Sequence, residues 1–183
     1  MRSNLKIVES AEASSEVSAI YSDFSARMGF RSAPNFIKAQ GASLAATRGT
    51  WDLIRNVLLQ GSLPRSLKEM AFVAISRDRG CLYCEAAHLA CCRMLGVDTH
   101  TLEALVSNLD EISPEAARVV LLFAVKCARS PQSLMEDDFV SLRRNGFSAA
   151  EITELIAMAG LALYANILAD ALGIETDTLF GAL

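Results

Sequence analysis

The sequence has few of the residues that interrupt helices and few of those that build sheets. Among its 183 residues are 10 glycines and 4 prolines, and 7% of the residues are aromatic while 52% are hydrophobic. Small and aliphatic side chains must therefore form the core, which favours packed helices over strands. We predict an all-α fold, a multi-helix bundle that forms a single domain over residues 1–183, with 1–11 as an extended N-terminal arm.

A basic surplus is also missing, since the formal net charge is −4. Nothing resembles a basic stripe for phosphate contacts, so we expect no nucleic acid partner. The N-terminal residues contain no apolar signal-peptide core, and the most apolar run, 155–165, is too short to cross a bilayer. We therefore expect a cytoplasmic protein with no membrane partner.

Apolar periodicity and capping residues predict a series of helices. The signals are serines before apolar runs, a Ser148–Glu151 capping box, and glycine or proline between the runs. The predicted helices cover about 15–28, 44–60, 64–77, 81–95, 99–107, 137–144 and 148–172, with others beginning at Pro34 and, after Ser113, at Pro114. The helix over 64–77 is nearly all apolar in its second half, so we expect it to be central.

Histidine is scarce, with two in the chain, and one of them follows a pair of cysteines. Cys81 and Cys84 have C-x-x-C spacing, and His88 follows four residues after the second cysteine. On a helix this spacing would place two thiols and an imidazole on one face. Gly80 predicts a break before the pair, and Glu69 lies twelve residues before Cys81 on the preceding helix, beside apolar neighbours.

These residue types suit thiol chemistry with a peroxide. In a cytoplasmic protein a C-x-x-C pair is more often catalytic or metal-binding than a structural disulfide. A thiolate can attack the O–O bond of a peroxide, and the resulting sulfenic acid can be resolved as a Cys81–Cys84 disulfide that another thiol reduces. His88, hydrogen-bonded to Glu69, is a candidate proton donor for the departing alkoxide.

The combination of Glu69, the C-x-x-C pair and His88 resembles the AhpD-like alkylhydroperoxidases of the carboxymuconolactone decarboxylase superfamily. The flanks 63–69 and 80–84, together with the length, Trp51 and the Ser148–Glu151 helix, look like its peroxidase-related branch. The resemblance implies an AhpD-like, homo-oligomeric helical protein that reduces hydroperoxides. It also implies that Cys84 attacks, Cys81 resolves, and an external thiol protein or small thiol acts as reductant, without metal or organic cofactor. Tyr83 departs from several members, which have histidine there.

The residues alone leave the attacking cysteine open. The dipole of the motif helix favours a thiolate at Cys81, the more N-terminal position. The i+4 contact with His88 instead favours Cys84.

Other functions compete with peroxide reduction. Cys81, Cys84, His88 and Glu69 could hold zinc, although structural zinc sites usually have more thiolates, and haem attachment needs histidine directly after the second cysteine. A redox-responsive oligomerisation or interaction module would form the disulfide without turnover. Lactone chemistry of the decarboxylase type is the rival enzyme function, but members with that activity lack the cysteine pair.

The remaining polar and thiol side chains have simpler interpretations. Cys91 is predicted to be a small buried side chain or an extra oxidation site, and Cys127 a core residue. His100 begins a helix and Glu85 points away from the motif face, so both are predicted to be surface residues.

Overall fold

The structure, a computed structural model, describes residues 4–182, and all the regular secondary structure in that range is helical. These residues form nine α-helices and no strand, which confirms the predicted fold class. The helices are α1 (Ser15–Met28), α2 (Asn35–Lys38), α3 (Leu44–Val57), α4 (Arg65–Arg79), α5 (Leu82–Met94), α6 (Thr99–Ser107), α7 (Glu115–Arg129), α8 (Glu136–Arg144) and α9 (Ala149–Leu172), followed by a short 3-10 helix, Thr178–Ala182.

Capping residues set most helix ends where the sequence indicates them. The Ser14 side chain accepts a hydrogen bond from the Val17 amide at the start of α1, and Ser148 with Glu151 forms the predicted capping box of α9. Two details were predicted wrongly. Pro114 itself occupies the N-cap position of α7 without a side-chain cap. Helix α3 ends at Val57, one turn early, and the Lys68 side chain donates to the Val57 carbonyl over 2.9 Å.

Helix α4 lies at the centre of the bundle, as predicted, and packs against α5, α7 and α9. Every side chain from Lys68 to Ser76 is buried. The buried apolar residues of all nine helices belong to one continuous cluster. Helix α4 lies within this cluster, so packing fixes the positions of its buried side chains.

Helix α9 is longer than the apolar run 155–165 suggested. Its 24 residues are long and apolar enough to cross a membrane by length and composition alone. A core helix has the same properties, and nine side chains of α9 are buried against the rest of the bundle. The buried Asn166 amide donates to Ser76 Oγ of α4 over 3.0 Å, which fixes the register of the two helices.

The N-terminal segment lies against the two ends of the bundle. The Asn4 amide donates to the Leu172 carbonyl over 2.7 Å, and the Val8 amide donates to the Lys38 carbonyl over 3.1 Å. Residues 4–14 contain no helix. The first three residues of the predicted arm lie outside the described residues.

An ion pair between the buried Lys68 and the partly exposed Glu154 joins α9 to the start of α4. Lys68 Nζ lies 3.0 Å from Glu154 Oε2, and the Lys68 side chain is 1% exposed. Burial opposes ionisation of Glu154, but hydrogen bonds from the Ser62 and Leu63 amides and from Lys68 outweigh it and lower its pKa to about 2. The carboxylate therefore satisfies backbone donors ahead of α4 as well as the lysine.

We expect Glu154→Gln to lower the free energy of unfolding at pH 7 by about 2 kcal/mol, because it leaves the Lys68 ammonium without its counter-charge. The folded-state pKa lies below the ordinary 4.5, so the carboxylate stabilises the fold above about pH 5 and that contribution disappears as the pH falls toward 2. Urea unfolding across this range should give a flatter pH profile for the variant. Glu103→Gln, at an exposed site on α6, is the control, and an equal loss there would contradict the assignment.

Candidate active site

The turn between α4 and α5 places the cysteine pair. Gly80 adopts a left-handed conformation with φ of 74°, and the Cys81 amide donates to the Ser76 carbonyl over 2.9 Å. The chain reverses there, so α5 packs along α4. Helix α5 begins at Leu82, and Cys81 is its extended N-cap residue. The helix therefore begins one residue later than predicted, and the Cys81 carbonyl accepts its first helical hydrogen bond, from the Glu85 amide over 3.0 Å.

The two thiols nevertheless adjoin each other. All five cysteines are unpaired and buried, with Cys81 0% and Cys84 2% exposed. A hydrogen bond between the Cys81 and Cys84 side chains, followed by burial, raises the pKa of Cys81 well above its ordinary range. Cys81 therefore favours its protonated form while Cys84 is reduced.

Glu69 and His88 meet across the α4–α5 contact. His88 Nδ1 lies 2.5 Å from Glu69 Oε2, and the Glu69 side chain is completely buried. The His88 ring stacks on Phe72 with 3.5 Å between ring centroids and 13° between planes. Because Nδ1 is engaged by the carboxylate and the ring is fixed by stacking, Nε2 is the nitrogen left to exchange a proton.

Arg65 completes this cluster and was not identified from the sequence. Its Nε donates to Glu69 Oε1 over 3.2 Å, so the two carboxylate oxygens have separate partners, Arg65 and His88. Arg65 also lies beside the Cys91 thiol. The sequence does place Arg65 four residues before Glu69 on one helix, the spacing of an i,i+4 ion pair. Such a pair contributes appreciably to stability only where the carboxylate is buried, which the sequence does not show.

We expect Arg65→Met to lower the free energy of unfolding by about 2 kcal/mol, because a buried carboxylate loses its permanent counter-charge. The matched control is Arg27→Met, which removes another i,i+4 ion pair, to Asp23, whose side chains are 55% and 39% exposed. That change should stay within about 0.5 kcal/mol. Chemical denaturation measures both, and equal effects would contradict a special role of Arg65.

The residues that the structure brings close enough to hold a metal ion differ from the four that the sequence suggested as zinc ligands. Within the described part of the chain, Glu69, His88 and Cys91 bring one ligand atom each to within 4.8 Å of one another, without Cys81 or Cys84. Burial, followed by the Glu69 carboxylate, raises the pKa of Cys91, which opposes the thiolate that a metal needs. The Arg65 guanidinium already supplies a cation to Glu69. Both features oppose the binding of a metal ion at this cluster.

A narrow apolar cavity lies over Cys84 and His88. Its volume of about 40 Å³ is enough for about three water molecules. Cys81 is not in its wall. The lining residues are mostly aromatic and aliphatic: Phe24, Met28, Phe30, Pro34, Phe36, Ile54, Leu58, Phe72, Tyr83, Cys84, Ala87, His88, Cys91, Ala165 and Phe180. A molecule in the cavity would meet the thiol of Cys84 and the imidazole of His88 together.

The other side chains singled out in the sequence lie away from this cavity. His100 is exposed, and Cys127 is a buried side chain of α7, as predicted. Glu85 is less solvated than predicted, because its side chain is 14% exposed and lies 3.5 Å from Arg77.

Comparison with known proteins gives a family match and several close structural similarities. The family model of the carboxymuconolactone decarboxylase family matches residues 45–126, which include Glu69, both cysteines and His88. The sequence matches no curated protein at a significant level.

Solved structures resemble the whole chain. An AhpD-core, peroxidase-related protein from Ralstonia eutropha JMP134 superposes with a TM-score of 0.89 at 24% identity, covering 98% of this chain and 95% of that one. A peroxidase-related protein from Silicibacter sp. TM1040 gives 0.86 at 25% identity, with 97% and 93% coverage. A variant of the debrominase Bmp8 in complex with 2,3,4-tribromopyrrole gives 0.85 at 20% identity, with 100% and 96% coverage.

Proposed function

The chain belongs to the superfamily of AhpD-like proteins and carboxymuconolactone decarboxylases, and on that basis we propose that it is a thiol-dependent peroxidase that reduces hydroperoxides through Cys81 and Cys84. One observation carries the proposal. Cys84 and His88 share the wall of a narrow apolar cavity, and His88 is held by the buried Glu69. A nucleophile, a proton carrier and a water-poor space for substrate therefore adjoin.

In the first step the Cys84 thiolate attacks the distal oxygen of the hydroperoxide. The O–O bond breaks, an S–O bond forms, and the alkoxide leaves with a proton from His88 Nε2, giving an alcohol and a Cys84 sulfenic acid. The cavity wall supports Cys84 as the attacking residue, since Cys81 is absent from it. The proton that His88 donates is the one it takes from the Cys84 thiol as the thiolate forms, so the imidazole begins and ends the step in the same protonation state.

In the second step the Cys81 sulfur displaces hydroxide from the sulfenic acid, so that water and a Cys81–Cys84 disulfide are formed. A dithiol reductant, either a thiol protein or a small thiol, then takes the oxidising equivalents and restores both thiols. The proposal requires no metal and no organic cofactor. The hydrogen bond between the two thiols supports their direct reaction.

The test is an anaerobic thiol titration before and after one equivalent of tert-butyl hydroperoxide, with tert-butanol measured by gas chromatography. The proposal expects the loss of two thiols and one equivalent of alcohol. A thiol reductant should then support repeated cycles. Unchanged thiols would refute the peroxidase. A single oxidation without further turnover would favour the redox-responsive interaction module instead.

Reductive dehalogenation is a second candidate function, favoured by the aromatic wall around Cys84. The structurally similar Bmp8 is a debrominase seen with 2,3,4-tribromopyrrole. The balanced reaction would convert an aryl bromide and two thiols into the dehalogenated ring, bromide, a proton and a disulfide. Bromide release from tribromopyrrole, compared with alcohol release from the hydroperoxide, distinguishes the two reactions.

We also propose that the protein is a homo-oligomer, as the family resemblance implies. Helix α9 has the exposed apolar side chains Ile156, Tyr164 and Ile167, which supports self-association. Sedimentation velocity over a range of concentrations measures the assembly, and a monomer at micromolar concentration would contradict it.

A further inference from the structure

The C-terminal 3-10 helix, Thr178–Ala182, closes one side of the cavity over Cys84. Phe180 is 4% exposed and belongs to the cavity wall. Its ring lies 6.0 Å from the Phe30 ring and 5.7 Å from the Tyr83 ring, centroid to centroid, with an edge-on contact to Tyr83. The segment thus covers the cavity with an aromatic side chain that comes from neither α4 nor α5.

The half-buried carboxylate of Asp177 holds this segment to the cysteine motif. The Tyr83 hydroxyl donates to Asp177 Oδ2 over 2.7 Å, and the Asn35 amide donates to the same carboxylate over 3.0 Å. The Phe36 amide in turn donates to the Tyr83 hydroxyl over 3.0 Å. Tyr83 stands between the two cysteines in the chain, so the residue that holds the C-terminal segment is part of the C-x-x-C motif itself.

We propose that Phe180 determines the substrate specificity of this site, and that the site accepts small, uncharged hydroperoxides. Tyr83 and Asp177 are the positioning residues that hold Phe180 in the wall. The proposal rests on the proposed peroxidase function and adds the substrate class and the residue that sets it.

The composition and size of the cavity support this substrate class. Among the described residues that line it, none is aspartate, glutamate, lysine or arginine, so a charged substrate would lose its hydration without gaining a partner. The free volume of about 40 Å³ leaves no room for a bulky substituent beside Phe180. A larger group could enter only by displacing that ring, which would break its contacts with Phe30 and Tyr83.

The decisive experiment compares kcat/KM for hydrogen peroxide, tert-butyl hydroperoxide and cumene hydroperoxide in the wild type, Phe180→Ala and Phe180→Trp. We expect Phe180→Ala to raise kcat/KM for cumene hydroperoxide relative to hydrogen peroxide by about tenfold or more, since one methylene group in a hydrophobic pocket already changes the ratio by about tenfold. Phe180→Trp should lower the ratio. Phe139→Ala is the control, because Phe139 packs edge-on against Phe123 away from the cavity. Equal ratios in all four proteins would overturn the proposal.

A second experiment tests, without peroxide turnover, whether Phe180 limits access to Cys84 in the cavity. Cys84 is alkylated with iodoacetamide or with the bulkier N-phenylmaleimide, and the rates are followed by peptide mass spectrometry. Phe180→Ala should accelerate the bulky reagent more than the small one, and an unchanged ratio would overturn the role of Phe180. If the wild type consumes no peroxide but Phe180→Ala still changes the ratio of the two alkylation rates, the proposed peroxidase function is refuted while the role of Phe180 in the cavity wall is supported.

The positioning residues have their own prediction in the same assays. Tyr83→Phe removes the hydroxyl that binds Asp177 but keeps the ring, so it should shift both ratios in the direction of Phe180→Ala. A purely structural role would lower thermal stability and leave the ratios unchanged. That result would remove Tyr83 from the proposal.

Discussion

Cys84→Ser is expected to abolish peroxide consumption, with a loss of about 10³-fold or more, the scale found when a nucleophile is removed. Serine keeps the size of the side chain, so the fold and the cavity should persist. Cys81→Ser should instead react once, because Cys84 can still attack but its sulfenic acid has no resolving partner. Stopped-flow peroxide consumption and trapping of the sulfenic acid with dimedone measure the two behaviours.

Cys127→Ser provides the matched control for these variants. Cys127 is a buried thiol of α7 outside the cavity wall, and its replacement should leave the rate within about twofold. A trapped sulfenic acid in Cys84→Ser but not in Cys81→Ser would reverse the assignment and make Cys81 the attacking residue. The helix dipole argument, which favours the N-cap position, would then have outweighed access to the cavity.

His88→Gln should lower the rate with alkyl hydroperoxides by about 10²–10⁴-fold, the usual contribution of a general acid or base. An alkoxide is a poor leaving group and needs a proton as the O–O bond breaks. Peracetic acid releases a stable carboxylate, so the rate of its reduction should fall much less in His88→Gln. The ratio of the two rate constants in wild type and variant measures the proton donation directly.

His100→Gln is the control for this prediction, because His100 is exposed and lies on α6. Its rate should match that of the wild type with both peroxides. Equal losses with the alkyl hydroperoxide and the peracid in His88→Gln would mean that the imidazole acts on the thiol or on the packing, and would refute proton donation to the leaving group.

Local patterns were sufficient for the helices and for part of the site. Ser14 and Ser148 mark helix starts because each side chain accepts from the amide three residues later, and Glu151 accepts in return from the Ser148 amide. The neighbourhood of Cys84 and His88 follows in the same way from one turn of α5. These features depend on residues that are close in the chain.

The contact between Glu69 and His88 depends on packing between two helices, and the family motif indicated it where periodicity alone could not. Arg65 escaped notice because its importance depends on the complete burial of Glu69, which composition does not reveal. Asp177 lies 94 residues from Tyr83 in the chain, and no local rule predicts a hydrogen bond over that separation. Helix α5 begins one residue after its predicted start because the left-handed turn at Gly80 ends α4.

The burial of both sulfur atoms has a consequence for exchange with the surrounding thiol pool. Cys81 is 0% and Cys84 2% exposed, and only Cys84 lines the cavity, so a thiol in solution reaches Cys84 through the cavity and has no open approach to Cys81. Thiol–disulfide exchange requires such an approach. Thiol–disulfide exchange between this pair and thiols in solution should therefore be slow. Its redox state would then depend on a reductant narrow enough to enter the cavity rather than on the ratio of thiol to disulfide in the surroundings. If the pair cycles as proposed, we expect a dithiol on a long flexible arm to reduce it faster than a thiol on the face of a folded protein.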